Sequence, residues 1–257
     1  MRFGCCIADA AGFEVAARAG ADYVELPVAT RVMGADERAL EDLARRAAEG
    51  PPALAANVFL PPDLALVGPS VDQARLDAYV EEALRRLQRL GVRLLVLGSG
   101  GARRIPEGYD RERALEELAW FCRRTADKAS GAGVTLVLEP LRSAESNVWN
   151  SVEEAAGFVR SRQLPGVTVL ADLYHMREER ESVDAVTENA DLLAHVHVAG
   201  LHRGPPSADP ELARFLALAA RARSDIGCSI ECRWSDFATE VGPALAAVRQ
   251  AAGSPPA

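Results

Sequence analysis

The sequence lacks the cysteine patterns that stabilise small secreted proteins or hold structural zinc. Its cysteines number five, an odd count, and none of them forms a paired CxxC spacing. Neither a disulfide framework nor a structural zinc site is therefore indicated. We expect reduced thiols that are mostly buried. These cysteines are Cys5, Cys6, Cys122, Cys228 and Cys232.

Long apolar runs and an excess of positive charge are also missing. No stretch reaches the roughly 18 uninterrupted apolar residues that a membrane helix needs, and the first residues reach Asp9 before the core of a signal peptide could form. The net charge of −8 disfavours contact with the phosphate backbone of nucleic acids, which relies on clustered Lys and Arg. We therefore expect a cytoplasmic protein whose partners include neither a membrane nor a nucleic acid.

The composition is typical of a globular protein with a substantial core, with 49% hydrophobic and 26% charged residues. A length of 257 residues matches one large barrel as well as two small domains. No linker or low-complexity segment divides the chain. We predict one domain over residues 1–252 and a flexible tail over residues 253–257.

Short aliphatic runs alternate with longer segments of helical periodicity, which is typical of repeated βα units. Eight strands are predicted at residues 2–7, 23–28, 53–59, 93–98, 134–139, 167–172, 194–198 and 228–233. Eight helices are predicted at residues 11–19, 35–48, 71–90, 111–130, 152–161, 177–190, 210–223 and 236–252. An open doubly wound sheet often carries a GxGxxG turn after its first strand, and residues 8–11 lack one. The pattern therefore predicts an α/β protein folded as a single (β/α)8 TIM barrel.

Four consecutive predicted strands end in potential metal ligands, namely Glu139, Asp172, His197 and Glu231. Catalytic groups of a barrel lie at the carboxyl ends of its strands, where the loops converge. Each residue alone could be an ordinary polar group at a strand end. Three carboxylates facing one barrel interior, however, need a positive charge among them, which an arginine or a metal could supply. The oxygen-rich set favours Mn²⁺, with Mg²⁺ or Co²⁺ as alternatives.

Two of these strand ends resemble a known family. Residues 138–141, Leu-Glu-Pro-Leu, resemble a Glu-Pro strand end, and residues 172–176 resemble an Asp-x-x-His motif. Both are similar to motifs of the sugar isomerases and epimerases among the xylose isomerase-like TIM barrels, which include ketose 3-epimerases and hydroxypyruvate isomerases. The resemblance implies one divalent metal held by the four strand-end residues, and a homodimer or homotetramer.

The resemblance also implies roles for individual residues. Glu139 and Glu231 would act as the acid and base pair, and Glu145, His175 and Arg203 would hold the oxygens of the substrate. Arg203 could instead be a solvated loop arginine. His195 could orient a ligand or simply be a satisfied histidine of the interior, and Glu25 could contact substrate or form a structural pair.

The loop over residues 98–106 could hold a phosphate or carboxylate of the substrate, or be a turn with two exposed arginines. These are Arg103 and Arg104.

The leading functional hypothesis is a metal-dependent sugar isomerase or epimerase. Its substrate would be a ketose, a hydroxy-keto acid or a sugar phosphate, and the reaction would pass through a metal-stabilised enediolate. The alternative is a dehydratase of an inosose or dehydroshikimate-type substrate. A non-catalytic sugar-binding barrel is a further hypothesis. An endonuclease acting at abasic DNA would need more His and acidic ligands than four histidines allow.

Overall fold

Eight parallel strands form a closed barrel in the computed structural model, which describes residues 1–253. Each strand pairs with the next along the chain, and the last pairs with the first. The strands are β1 (Arg2–Cys6), β2 (Tyr23–Pro27), β3 (Ala53–Asn57), β4 (Leu94–Leu97), β5 (Thr135–Leu138), β6 (Val167–Asp172), β7 (Leu193–Val198) and β8 (Gly227–Ile230). The predicted TIM barrel is confirmed. Residues 254–257, most of the predicted tail, lie outside the described residues.

Helices connect the strands and cover the outside of the barrel. They are α1 (Gly12–Arg18), α2 (Glu37–Glu49), α3 (Gln73–Arg89), α4 (Arg111–Gly131), α5 (Val152–Ser161), α6 (Leu173–Glu179), α7 (Ala185–Glu188), α8 (Pro210–Ala222) and α9 (Phe237–Ala251). A π-helical turn (Val28–Val32) follows β2, and a 3-10 turn (Leu201–Arg203) follows β7. Within residues 1–253, no helix has the length and apolar character to cross a membrane.

The helix predicted at residues 177–190 is wrong, because two short helices occupy this part of the chain. The first, α6, begins directly after β6, where the Asp172 Oδ1 atom accepts a hydrogen bond of 2.7 Å from the Tyr174 backbone amide. It ends where Arg180 adopts a left-handed conformation, with φ of 57°. The helix start was missed because the apolar residues after Asp172 continue the pattern of the strand. The early start places His175 beside the end of β6.

β5 ends one residue earlier than predicted and β8 ends three residues earlier, so Glu139 and Glu231 follow these strands rather than belonging to them. Their backbone amides still bond to the neighbouring strands, at 3.2 Å from Leu97 O and 3.0 Å from Val198 O. The backbone of both residues is therefore held by hydrogen bonds to neighbouring strands, although both residues lie outside the strands.

The barrel interior is divided into an apolar and a polar side. Val96, Val137 and Leu170 form a separate apolar cluster inside the barrel. β2, β7 and β8 carry four buried residues joined by side-chain hydrogen bonds: Tyr23, Glu25, His195 and Ser229. The main core lies between the sheet and the helices. All five cysteines are free thiols, with three buried and two half-buried, as predicted.

Candidate metal centre

The structure brings the four predicted metal ligands together at the carboxyl end of the barrel. One ligand atom from each of Glu139, Asp172, His197 and Glu231 lies within 4.8 Å of all the others. The His197 Nδ1 atom is 3.3 Å from Glu139 Oε1 and 3.8 Å from Glu231 Oε2. Four strands that are far apart in sequence thus place their ends around one point.

Three polar atoms of this group are buried and have no hydrogen-bond partner among the described residues. They are Glu139 Oε1, Asp172 Oδ2 and His197 Nδ1. The other Asp172 oxygen caps α6, so Oδ2 is the atom left to face the site. A buried polar atom without a partner is costly, and three of them around one point are explained by a shared cation. The donor set of carboxylate oxygens and one imidazole nitrogen therefore fits a divalent metal.

Glu25 supports the site from inside the barrel. Both of its carboxylate oxygens lie 3.1 Å from His197 Nε2, and one lies 3.0 Å from His195 Nε2. Ser229 Oγ donates a third hydrogen bond of 2.6 Å. When the Nε2–H group of a neutral His197 donates to Glu25, the Nδ1 atom has a lone pair that can bind a metal. Glu25 is therefore a structural partner and not a substrate contact. The His195 Nε2 atom lies within hydrogen-bond distance of Glu25 and Ser229 and helps to hold Glu25, whereas its Nδ1 atom has no hydrogen-bond partner among the described residues.

The charges of this buried cluster are coupled. Burial alone would raise the pKa of Glu25, but the charge of His197 and hydrogen bonds from both histidines lower it well below its usual value. Burial would lower the pKa of His197, but Glu25 and Glu139 outweigh it and raise this pKa well above the usual range. Glu25 and His197 therefore stabilise each other's charged forms inside the barrel.

Arg203 is not a solvated loop arginine. Its guanidinium lies 2.6 Å from Glu231 Oε2 and 3.4 Å from Glu145, and it stacks over the ring of Tyr174 at 5.2 Å. Only 20% of its side chain is exposed. The structure thus places Arg203, a predicted substrate residue, between a second one, Glu145, and the proposed ligand Glu231.

His175, the third predicted substrate residue, is buried on the first turn of α6. Its Nδ1 atom accepts a hydrogen bond of 3.1 Å from the Arg142 backbone amide. The neutral ring therefore carries its proton on Nε2, which lies 3.7 Å from Asp172 Oδ2 and has no hydrogen-bond partner among the described residues. His175 thus presents a hydrogen-bond donor next to the four candidate metal ligands.

The loop over residues 98–106 does not offer two arginines to an anion. Arg103 is fully buried, donates to the backbone oxygens of Leu97 and Glu139 at 3.0 and 2.7 Å, and lies 4.9 Å from the Trp149 ring. It therefore holds the ends of β4 and β5 in place. The sequence shows a loop arginine but not the carbonyl groups that surround it, so neither alternative, an anion contact or an exposed arginine, describes Arg103. Arg104 is exposed and donates to the Glu145 backbone oxygen at 3.1 Å.

Two further residues shape the site and were missed from the sequence. Asn57, the last residue of β3, donates to Glu231 Oε1 at 2.8 Å and lies 3.3 Å from Cys6 Sγ. Gly98 gives Glu139 its space, because a Cβ atom at this position would lie 2.2 Å from Glu139 Oε2. The sequence signal that could have identified Asn57 is a polar residue near the carboxyl end of the strand predicted at residues 53–59.

Comparisons with known proteins identify relatives of this chain. The family model described as xylose isomerase-like TIM barrel matches residues 13–247. The 3-dehydro-D-guloside 4-epimerase of Escherichia coli (strain K12) is 26% identical over 170 residues, which cover 62% of this chain and 63% of that protein. The L-ribulose 3-epimerase of Methylomonas sp. (strain DH-1) is 28% identical over 193 residues, covering 74% and 65%. The matched segments span less than two thirds of either relative.

A solved structure shares the whole fold. The D-allulose 3-epimerase from Methylomonas sp. superimposes with a TM-score of 0.85 over 98% of both chains, at 22% sequence identity. At this identity, the likeness establishes the architecture of the barrel.

Proposed function

The chain belongs to the family of xylose isomerase-like TIM barrels, and on that premise we propose that it is a divalent-metal-dependent epimerase or isomerase of a ketose. The observation that carries the proposal is the convergence of three unpartnered ligand atoms, from Glu139, Asp172 and His197, at one point of the catalytic face. The names of the two relatives, both epimerases, support a keto sugar as the substrate.

The metal would be held by the four strand-end residues, with Mn²⁺ as the first choice and Mg²⁺ or Co²⁺ as alternatives. When bound, it supplies a positive charge that polarises the substrate carbonyl and stabilises the negative charge formed beside it. Glu25 keeps the ring of His197 in the orientation that this role needs. The fully buried Arg103 holds the backbone from which Glu139 projects.

Glu139 and Glu231 are the proposed acid and base. They follow β5 and β8, so their carboxylates approach the site from different parts of the barrel mouth. One removes the proton from the carbon beside the carbonyl, and the other returns a proton. Return to the opposite face of the same carbon gives an epimer, and return to the neighbouring carbon gives an aldose from a ketose.

Three further residues are proposed to hold the substrate oxygens. The His175 Nε2–H group is a buried donor fixed by the Arg142 amide. Arg203 lies between Glu145 and Glu231 and is held against the Tyr174 ring. A sugar bound beside these groups would meet donors and acceptors that are already oriented, which lowers the entropy cost of positioning it.

The experiment that tests the proposal is the transfer of solvent deuterium into a panel of ketoses that includes D-psicose and L-ribulose. The Mn²⁺-loaded protein is incubated with each sugar in D₂O, the metal is removed, and the sugar is analysed by NMR. We expect deuterium at a carbon beside the carbonyl, and its position separates epimerisation from isomerisation.

Two variants control this experiment. Glu231→Gln should lower the exchange rate by a factor on the order of 10²–10⁴, the usual contribution of a general acid or base. Glu41→Gln, which changes an exposed glutamate of α2, should exchange at the wild-type rate. Absence of exchange across the panel, despite tight metal binding, would overturn the proposal.

A further inference from the structure

The four proposed metal ligands all lie on one side of the barrel mouth. The proposed ligands end or follow β5 to β8, whereas the other four strands end in Cys6, Pro27, Asn57 and Leu97. Of these four end residues, only Asn57 carries a side chain with both a strong hydrogen-bond donor and a strong acceptor. Among these four end residues, the side-chain amide of Asn57 is therefore the main group that can hydrogen-bond to a ligand.

The orientation of this amide is fixed by its neighbour. The Nδ2 atom of Asn57 lies 2.8 Å from Glu231 Oε1 and 3.3 Å from Cys6 Sγ. A carboxylate can only accept hydrogen bonds, so the NH₂ group must face Glu231. The Oδ1 atom consequently points away from Glu231.

The Asn57 Oδ1 atom has no hydrogen-bond partner among the described residues, although the residue is only 3% exposed. A buried amide oxygen without a partner is costly, and such atoms in folded proteins call for an explanation. The three unpartnered atoms of Glu139, Asp172 and His197 are explained by a cation. Asn57 needs a different explanation, because its oxygen is neutral and its donor group is directed at a carboxylate.

We propose that Asn57 is a substrate-recognising residue whose Oδ1 atom accepts a hydrogen bond from a hydroxyl group of the sugar. This inference rests on the proposed function and names the chemical class of the group that is bound there. An ionised phosphate or carboxylate has only acceptor oxygens to offer, and the NH₂ group of Asn57 is already engaged by Glu231. This side of the site therefore selects a neutral hydroxyl over an anionic group.

The contact with Glu231 links recognition to the chemistry. Asn57 holds one oxygen of Glu231, and Arg203 lies 2.6 Å from the other. A hydroxyl bound at Oδ1 would thus lie one side chain away from the proposed acid or base. Asn57 would therefore set the position of the sugar relative to Glu231.

The test combines a change in the protein with a change in the sugar. Dissociation constants are measured by calorimetry for metal-loaded wild-type protein and Asn57→Leu, using L-ribulose, D-psicose and the monodeoxy analogues of both. In the wild type, we expect the loss of one particular hydroxyl to weaken binding by roughly 10–100-fold, because Oδ1 is left unpaired. In Asn57→Leu, the same analogue should bind as well as its parent sugar.

Controls separate a specific contact from a general disturbance. Asn189 is equally buried at 3% but bonds to Ala185 and Arg160, so Asn189→Leu should keep the wild-type selectivity among the analogues. Asn57→Ala provides a second variant, and thermal unfolding shows which variants retain the fold.

An identical penalty for every analogue in the wild type and both Asn57 variants would overturn the role of Asn57. If the wild type still exchanges deuterium into ketoses in that case, the proposed function stands without it. If the wild type does not exchange deuterium into ketoses, the proposed function itself is wrong, and the inference about Asn57 falls with it.

Discussion

Glu25 accepts a hydrogen bond from His197 Nε2 and so determines the tautomer and orientation of this ring. Replacement of Glu25 by glutamine tests this role. The amide of Glu25→Gln keeps the shape of the side chain but loses the charge that His195, His197 and Ser229 all contact. We expect the affinity for Mn²⁺ to fall by about 10–100-fold, as is usual when the partner of a ligating histidine is removed. Competition with a fluorescent chelator measures this affinity. An unchanged affinity would contradict the role, and Glu41→Gln serves as the control.

Gly98 provides the space that the Glu139 carboxylate occupies. The added Cβ of Gly98→Ala would lie 2.2 Å from Glu139 Oε2, so the carboxylate must rotate away. We expect the rate of deuterium exchange to fall at least about 10-fold, since a small misplacement of a reacting group is costly. The unfolding temperature should change little, because the clash is with the end of a side chain.

The matched control for Gly98 lies in α5. No atom lies within 4 Å of a Cβ built at Gly157, so Gly157→Ala should raise the free energy of unfolding by about 0.5–1 kcal/mol and leave exchange unchanged. Wild-type exchange by Gly98→Ala would show that Glu139 does not need its observed position.

The sequence could predict candidate ligands because each one follows a recognisable apolar run. It could not predict what Glu25, Asn57 and Arg103 contact. Glu25 meets His197 and Ser229, which are 172 and 204 residues away, and Asn57 meets Glu231, which is 174 residues away. Such contacts depend on the register and tilt of the closed barrel, which a local pattern does not contain.

At the scale of secondary-structure elements, Asp172 has two roles at the start of α6. One oxygen caps the helix, and the other remains for the metal group. The rest of the secondary structure followed the sequence to within a few residues because the strands are apolar runs between amphipathic helices. The failure at residues 177–190 arose next to Asp172, which is both the end of a strand and the cap of a helix.

The left-handed residue that ends α6 gives a prediction on stability. Arg180 has φ of 57°, a conformation that costs a residue with a Cβ atom roughly 1 kcal/mol relative to glycine. Arg180→Gly should therefore raise the free energy of unfolding by about 1 kcal/mol in a urea titration. Arg180→Ala keeps the Cβ atom and should show no such gain. Equal effects of the two substitutions would attribute the change to the arginine side chain instead.

At the scale of the whole molecule, metal binding should stabilise the fold, because the four ligands come from separate βα units. At a free Mn²⁺ concentration 100 times the dissociation constant, the gain is about 2.7 kcal/mol. Thermal unfolding with Mn²⁺ and with a chelator measures it.

Asp172→Asn is the sharpest control for this effect. Its side-chain oxygen can still cap α6, but the charge facing the metal is lost. We expect a fold that unfolds near the wild-type temperature without metal and gains much less on its addition. An equal gain in both proteins would show that Mn²⁺ binds elsewhere.

The division of the barrel mouth has a consequence for how such a protein can change over time. The proposed ligands occupy the half formed by β5 to β8, and Asn57 is the principal polar end residue of the half formed by β1 to β4. Gly98 and Arg103, which follow β4, hold Glu139 in place, but among the described residues no hydrogen bond joins the loops after β1 to β3 to the side chain of a proposed ligand. One inherited set of ligands could thus serve successive substrates, with new preferences arising by changes in those three loops.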